Sequence, residues 1–113
     1  MPTFRQGDIV KVPFPYTDRA ARQHRPALVV SSSRGGETHG LLWVLMITSA
    51  ENRGWPGDVA ISDPSGAGLP APSVVRTAKI ATIEASDATS LGAITPAILR
   101  QVMRRVGREL GLA

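Results

Sequence analysis

The sequence predicts a small, mainly β (α+β) protein in which five to seven short strands form a strongly curved sheet or open barrel, followed by one C-terminal helix. Short runs of β-branched and aliphatic residues recur along most of the chain, separated by turns rich in Gly, Pro and Ser. Only the C-terminal segment has apolar residues spaced four apart, as on one face of a helix. With 113 residues, the chain is expected to be a single domain spanning 1–113.

Four segments before residue 63 are predicted to be strands. Residues 7–14 alternate apolar and polar side chains after a Gly-Asp pair, and residues 57–62 open on the same pair. We expect both pairs to mark a strand that begins after a tight turn. Residues 27–32 and 41–49 are aliphatic runs, and Trp43 in the second of them is expected to be buried in the core.

After residue 62 the composition of the chain changes, and the predicted elements include a helix. Residues 63–73 contain too much Pro and Gly for regular structure, and two short strands are predicted after them, at 74–76 and 78–83. The terminal helix is predicted to begin with Thr95 as its cap and Pro96 in its first turn. Its apolar face comprises Ile98, Val102, Val106 and Leu110, and Gly111 is a natural stop.

Charge and cysteine content restrict the classes of function. Thirteen basic and nine acidic residues give a net charge of +4 and a pI near 10.7, which favours a polyanionic partner, although an arginine-rich genome composition would give the same excess. The absence of cysteine excludes disulfides and thiolate zinc sites and favours the cytoplasm. The polar N-terminus and the short apolar runs predict neither a signal peptide nor a membrane span.

Several motifs together resemble one family. The stretch "GDIVKVPFPYTDRAARQHRPALVVSS", then "LLWVLMITS", "GLPAPSVVR" and "KIATIE", are followed by the predicted C-terminal helix. In this order, over residues 6 to about 112, they resemble the MazF/PemK family of toxin endoribonucleases. The resemblance implies an SH3-like barrel, a homodimer, and the toxin of a type II toxin-antitoxin system. It also implies growth inhibition through metal-independent, sequence-specific cleavage of single-stranded mRNA, with a cognate antitoxin as partner.

The resemblance assigns the catalytic role to Arg25 and a second role to Thr48. Arg25 precedes Pro26, which restricts it to extended geometry and so fixes the direction of its side chain. A rigid guanidinium suits the negative charge that develops on phosphorus when a ribose 2′-OH attacks the adjacent phosphate. A threonine hydroxyl at the end of the third strand is able to bond the phosphate or orient the 2′-OH. The expected products are a 2′,3′-cyclic phosphate and a 5′-OH.

The identity of the general base stays open. Arginine remains protonated in proteins and is better suited to stabilising charge than to taking a proton. His24 is adjacent to Arg25, but neighbours on an extended strand point to opposite faces. His24 and His39 are isolated from any acidic cluster, so we expect neither a metal site nor a cofactor.

RNA contacts are expected from three parts of the sequence. The surface loop predicted for residues 15–24 interleaves one aromatic residue with arginines, a composition that suits base stacking and phosphate neutralisation. The segment after the third strand is expected to influence the cleavage sequence, and an arginine in the "VVRTAK" segment is expected to hold phosphate. The predicted RNA-binding residues are Tyr16, Thr17, Arg19, Arg22, His24, Ser49, Asn52, Arg53 and Arg76.

The fold alone leaves other functions open. A small SH3-like barrel also serves as a non-catalytic binding module, and a gyrase-poisoning toxin has the same fold. The gyrase poison ends in an aromatic-tipped helix, whereas this chain ends "GRELGLA". The resemblance implies an antitoxin, and together with the basic loop at residues 19–25 it predicts that an acidic C-terminal segment of this antitoxin folds over the surface around Arg25.

Overall fold

The computed structural model describes residues 3–13, 24–32 and 40–112 of the chain. Within these ranges the chain forms six strands, two short 3₁₀ helices and one α-helix. The strands are β1 (Asp8–Pro13), β2 (His24–Val29), β3 (Leu41–Ser49), β4 (Val59–Ile61), β5 (Ser73–Glu84) and β6 (Thr89–Ala93), and the helix is α1 (Pro96–Glu109).

The six strands form one antiparallel sheet in the order β4-β5-β3-β2-β1-β6. The sheet curls into a half-barrel, and α1 follows at its C-terminal end. The predicted fold class, a mainly β curved sheet with a C-terminal helix, is therefore confirmed. Strand β6 was not predicted, because its residues are almost all exposed and it lacks an apolar alternation.

Each face of the sheet buries a separate apolar cluster. The helix face carries Ile9, Leu28, Leu45 and Ile47, against which Ile98 and Val102 of α1 pack. The opposite face carries the second cluster, which contains Phe4, Val10, Val12, Ala27, Val29, Leu42, Val44, Ala81, Ile83 and Ala85. Because side chains alternate along a strand, each central strand supplies both clusters.

Trp43 was predicted to be buried, and this prediction is wrong. Its side chain is 56% exposed. Trp43 lies on the same face of β3 as Leu45, but nearer the N-terminal end of the strand, beyond the part of the sheet against which α1 packs. Leu41 and Ile80 are exposed beside it, and these three side chains are called the outer apolar patch below.

The two Gly-Asp pairs do precede strands after tight turns, as predicted. In both turns the glycine has a positive φ, +96° at Gly7 and +88° at Gly57. In both, the aspartate N–H donates to the carbonyl of the residue three positions earlier. The carboxylates of Asp8 and Asp58 accept the N–H of that same earlier residue in return. The pair therefore closes a turn at both ends and directs the chain into β1 and toward β4.

Strand β5 is one long strand rather than the two short ones predicted from residues 74–83. Its register with β3 shifts between Leu45 and Met46, which pair with Ile80 and Arg76. The extra residues in β5 form a bulge, and bulges commonly re-aim side chains near functional sites. The predicted helix is confirmed: Thr95 caps it by accepting the N–H of Ile98 at 3.3 Å. The prediction that Leu110 continues its apolar face is wrong, because the helix ends at Glu109 and Leu110 is 64% exposed. In the described ranges no helix is both long and apolar enough to cross a membrane.

Candidate functional site

Arg25 lies near the start of β2, half-buried, on the face of the sheet opposite to α1. It pairs with Val12 of β1, which belongs to the cluster on that face. The preceding residue, His24, pairs with Pro13 and is exposed. Because directly paired residues share a face and successive residues alternate, the side chains of His24 and Arg25 project to opposite sides of the sheet.

Thr48 lies on the same face as Arg25 and near it along the sheet. Strands β2 and β3 pair from Val29–Val44 to Ala27–Met46. Extending this register by two residues sets Arg25 level with Thr48. The Thr48 side chain is almost fully buried, with a relative exposure of 9%. The two residues assigned by family resemblance to catalysis therefore lie on the same face of the adjacent strands β2 and β3.

The Thr48 hydroxyl has a defined hydrogen-bond partner. The side-chain amide of Asn52 donates from Nδ2 to Thr48 Oγ1 at 3.1 Å. A hydroxyl has one proton to donate and two lone pairs to accept with, so this contact fills one acceptor position and leaves the Thr48 proton available to a ligand. Ser49 caps the short 3₁₀ helix Ala50–Asn52 by accepting the N–H of Glu51 at 3.3 Å, which turns the chain so that Asn52 returns to Thr48.

Arg76 is buried in a network of hydrogen bonds. Its guanidinium donates to both carboxylate oxygens of Asp58, from Nε to Oδ1 at 3.2 Å and from Nη2 to Oδ2 at 3.0 Å. Nη2 also donates to the Asn52 carbonyl at 2.6 Å. Both side chains of the ion pair are 8% exposed. Arg76 thus fixes the backbone of the residue whose side chain contacts Thr48.

Further contacts attach the segment from Asn52 to Asp58, here called the 52–58 loop, to β5. The Arg76 guanidinium carbon lies 4.3 Å from the centre of the Trp55 ring, and Lys79 Nζ lies 5.2 Å from it. The Thr77 hydroxyl donates to the Gly57 carbonyl at 2.9 Å. A Cβ at position 57 would lie 2.6 Å from the Thr77 hydroxyl, so only glycine fits this contact.

The sequence of the whole chain identifies its family. Residues 5–110 match the family model described as the PemK-like, MazF-like toxin of type II toxin-antitoxin systems. The chain belongs to this family. Among curated proteins, none matches it in sequence.

Solved structures of MazF toxins have the same fold. MazF from Deinococcus radiodurans (Form-I) is 24% identical, with a TM-score of 0.79 over 98% of this chain and 99% of that one. An endoribonuclease in complex with its cognate antitoxin from Mycobacterial species is 22% identical, with a TM-score of 0.74 over 100% and 98%. Toxin MazF-mt6 from Mycobacterium tuberculosis is 20% identical, with a TM-score of 0.75 over 94% and 98%. At these identities the likeness establishes the fold.

The remaining predicted RNA-binding residues are divided between described and undescribed segments. Arg53 is exposed in the 52–58 loop. Tyr16, Thr17, Arg19 and Arg22 lie outside the described residues, as does His39. Across residues 3–13, 24–32 and 40–112, no three His, Cys, Asp or Glu side chains are grouped as a metal ion would require.

Sequence reasoning missed the central role of Asp58. It was interpreted only as part of a turn, and 18 positions separate it from Arg76 in the chain. A signal was available once β4 and β5 were paired, because the register that joins Val59 to Val75 sets Asp58 opposite Arg76. The expectation that Arg76 holds phosphate did not include this ion pair, which occupies its Nε and one of its terminal nitrogens.

A basic surface lies along α1. Gln101, Arg104, Arg105 and Arg108 line a cavity of about 350 Å³ together with residues 58–60 at the edge strand β4. Because the Asp58 carboxylate is paired with Arg76, it does not neutralise these three arginines. These three arginines add positive electrostatic potential beside the 52–58 loop.

We expect the Arg76–Asp58 pair to stabilise the fold measurably. Arg76→Ala and Asp58→Ala should each lower the free energy of unfolding by about 3–5 kcal/mol, because each leaves a buried charge without its partner. The double variant should lose clearly less than the sum of the two. Chemical denaturation at a fixed protein concentration measures all three values.

Arg100→Ala is the matched control, since it removes an exposed arginine from α1 and should change the free energy of unfolding by less than about 0.5 kcal/mol. Strict additivity of the Arg76 and Asp58 effects would contradict the proposed coupling.

Proposed function

We propose that this toxin is a metal-independent endoribonuclease that cleaves single-stranded RNA, including mRNA, at specific short sequences. The observation that carries the proposal is that a half-buried Arg25 and the Thr48 hydroxyl lie on the same face of the adjacent strands β2 and β3. Family membership supports the same activity, because a related solved structure is described as an endoribonuclease.

Arg25 is proposed to stabilise the charge that develops during cleavage. The ribose 2′-oxygen attacks the adjacent phosphorus, and the resulting phosphorane carries more negative charge than the diester. Strand β2 and Pro26 fix the backbone of Arg25, so its guanidinium needs little rearrangement to contact that charge. Such preorganised donors contribute most when they are aimed at the transition state rather than the substrate.

Thr48 is proposed to donate its hydroxyl proton to a non-bridging phosphate oxygen. The Asn52 amide at 3.1 Å supports this direction, because it occupies an acceptor position on the same hydroxyl. A hydroxyl that already accepts a hydrogen bond is polarised and becomes a better donor. In this proposal Asn52 acts through Thr48, and Arg76 acts one step further away by holding the Asn52 carbonyl.

The proposed step balances without an external cofactor. The bond from the 2′-oxygen to phosphorus forms, and the bond from phosphorus to the 5′-oxygen breaks. The 2′-OH loses a proton, and the leaving 5′-oxygen gains one, which gives a 2′,3′-cyclic phosphate and a 5′-OH.

Because His24 projects from the other side of the sheet, we propose that it contacts flanking RNA together with Tyr16, Thr17, Arg19, Arg22, Ser49 and Arg53.

Replacement of the two site residues should abolish most activity without unfolding the protein. Arg25→Ala should lower the cleavage rate by about 10² or more, and Thr48→Ala by somewhat less, by analogy with the loss of one oxyanion donor. Arg25→Lys should recover little, because lysine keeps the charge but loses the planar fork. Single-turnover cleavage of an RNA with mapped sites measures these rates.

The substrate provides an independent control for the same chemistry. A single deoxyribose on the 5′ side of the scissile phosphate should prevent cleavage there and leave binding largely unchanged, and EDTA should have no effect. Cleavage of that RNA at the unchanged position, or full activity of folded Arg25→Ala, would contradict the mechanism. Inhibition of DNA gyrase without any RNA fragmentation would favour the gyrase-poisoning alternative instead.

We also propose that the toxin is a homodimer neutralised by a cognate antitoxin with an acidic C-terminal segment. The outer apolar patch supports dimerisation, since Trp43, Ile80 and Leu41 are 56%, 46% and 39% exposed. Contiguous exposed apolar side chains of this size commonly mark contact surfaces between proteins. The antitoxin is supported by the family and by the net charge of +4. Solved relatives include MazE–MazF complexes from Deinococcus radiodurans.

Sedimentation at micromolar concentration should give twice the 12.0 kDa mass of the chain. Addition of the cognate antitoxin should produce a complex whose affinity falls with salt and with Arg22→Glu, because charge-assisted association is screened. A species of 12.0 kDa alone would contradict the dimer. If neither salt nor Arg22→Glu changed the affinity for the antitoxin, binding through an acidic segment would be contradicted.

A further inference from the structure

Trp55 combines high exposure with a fixed position. Its side chain is 44% exposed, yet its backbone is held at both polar groups. The Trp55 N–H donates to Asp58 Oδ2 at 3.3 Å, and its carbonyl accepts the Asp58 N–H at 3.1 Å. Pro56 and Gly57 occupy the turn between them in the order that a type II turn prefers. The backbone therefore contributes little freedom to the ring.

The indole ring is fixed as well. The guanidinium of Arg76 lies 4.3 Å from the ring centre, within the range of a cation–π contact. That guanidinium is itself held by Asp58 and by the Asn52 carbonyl, so the ring rests on a group that cannot move freely. A surface aromatic that is already ordered pays less conformational entropy when a ligand packs on it.

The chemistry around the ring suits a nucleotide. An exposed aromatic surface stacks on any unpaired base, and Lys79, with its ammonium 5.2 Å from the ring centre, adds positive charge for the neighbouring phosphate. The ring also lies in the same 52–58 loop as Asn52, which contacts the proposed catalytic hydroxyl of Thr48. A strand of RNA bound at Thr48 therefore has an aromatic platform close to its path.

We infer that Trp55 is a stacking platform for one unpaired nucleobase of the RNA, flanking the cleaved bond. The inference rests on the proposed function, because it takes RNA as the ligand of this face. In this proposal two residues of the 52–58 loop have different roles: Asn52 orients the Thr48 hydroxyl, and Trp55 fixes the position of a base relative to Thr48. Stacking tolerates every base, so Trp55 contributes affinity and register more than sequence preference.

Binding is tested with single-stranded RNA in which every ribose is 2′-O-methylated, so that attack by a 2′-OH is impossible. Trp55→Leu keeps apolar bulk over Arg76 but removes the flat π surface, and it should weaken binding roughly tenfold or more. Trp55→Phe keeps a stacking face and should lose much less. Thermal unfolding of both variants, at equal protein concentration, checks that the fold is retained.

An abasic scan separates stacking from a purely structural role of Trp55. A single abasic nucleotide is moved along the RNA, and at one position it should weaken binding to the wild type. At that same position it should have almost no effect on Trp55→Leu, because the partner of the missing base is already absent. Equal abasic penalties at every position in wild type and Trp55→Leu would overturn the inference.

Tryptophan fluorescence gives a second readout that needs only the Trp55→Phe variant. RNA should quench the wild type, and the quenching should largely disappear in Trp55→Phe, which retains Trp43. Undiminished quenching in Trp55→Phe would overturn the inference, and so would absence of RNA binding by the wild type. If the wild type binds and is quenched but cleaves no unmodified RNA, the platform stands and the nuclease proposal fails.

Discussion

The buried ion pair between Arg76 and Asp58 is the constraint on which the candidate site depends. A guanidinium and a carboxylate that are each 8% exposed must meet with good geometry, since desolvation otherwise outweighs their attraction. The bidentate contact meets this requirement, and the Asn52 carbonyl accepts a further hydrogen bond from Arg76. Because Asp58 enters β4 and Arg76 belongs to β5, the pair joins the 52–58 loop to the sheet.

The order imposed by this pair reaches Thr48 in two steps. Arg76 fixes the Asn52 backbone, and the Asn52 side chain then donates to the Thr48 hydroxyl. Because the Thr48 hydroxyl accepts this hydrogen bond, its own proton remains available for a hydrogen bond to a substrate. A phosphate site assembled before the substrate arrives loses little energy to reorganisation during the reaction.

Local patterns in the sequence predicted the elements whose causes are local. The Gly-Asp pairs marked two strand entries, and Thr95 and Pro96 marked the start of the helix, because turns and caps depend on a few adjacent residues. The burial of Trp43 was predicted wrongly, since whether α1 covers that part of the sheet depends on where the helix docks. Strand β6 was missed because it pairs through its backbone while its side chains stay exposed.

The site itself was only partly predictable. Family resemblance selected Arg25 and Thr48, and the register of β1, β2 and β3 supports their proximity. The Asp58–Arg76 contact joins residues 18 positions apart and forms only when β4 lies beside β5. No local sequence pattern predicts such a pair. The segment after the third strand was predicted to influence the cleavage sequence, but the fixed position of the Trp55 ring depends on the same long-range pair.

Hydrogen exchange of the 52–58 loop in Arg76→Lys tests this account most directly. Lysine keeps the positive charge but cannot reach both carboxylate oxygens and the Asn52 carbonyl in one planar arrangement. The backbone amides of Trp55 and Asp58, which are hydrogen-bonded in the closed loop, should exchange faster, while amides in β1 and β2 keep their protection. RNA cleavage should fall in the same variant. Wild-type protection at both loop amides would contradict the claim that Arg76 holds the loop and, through it, the candidate site.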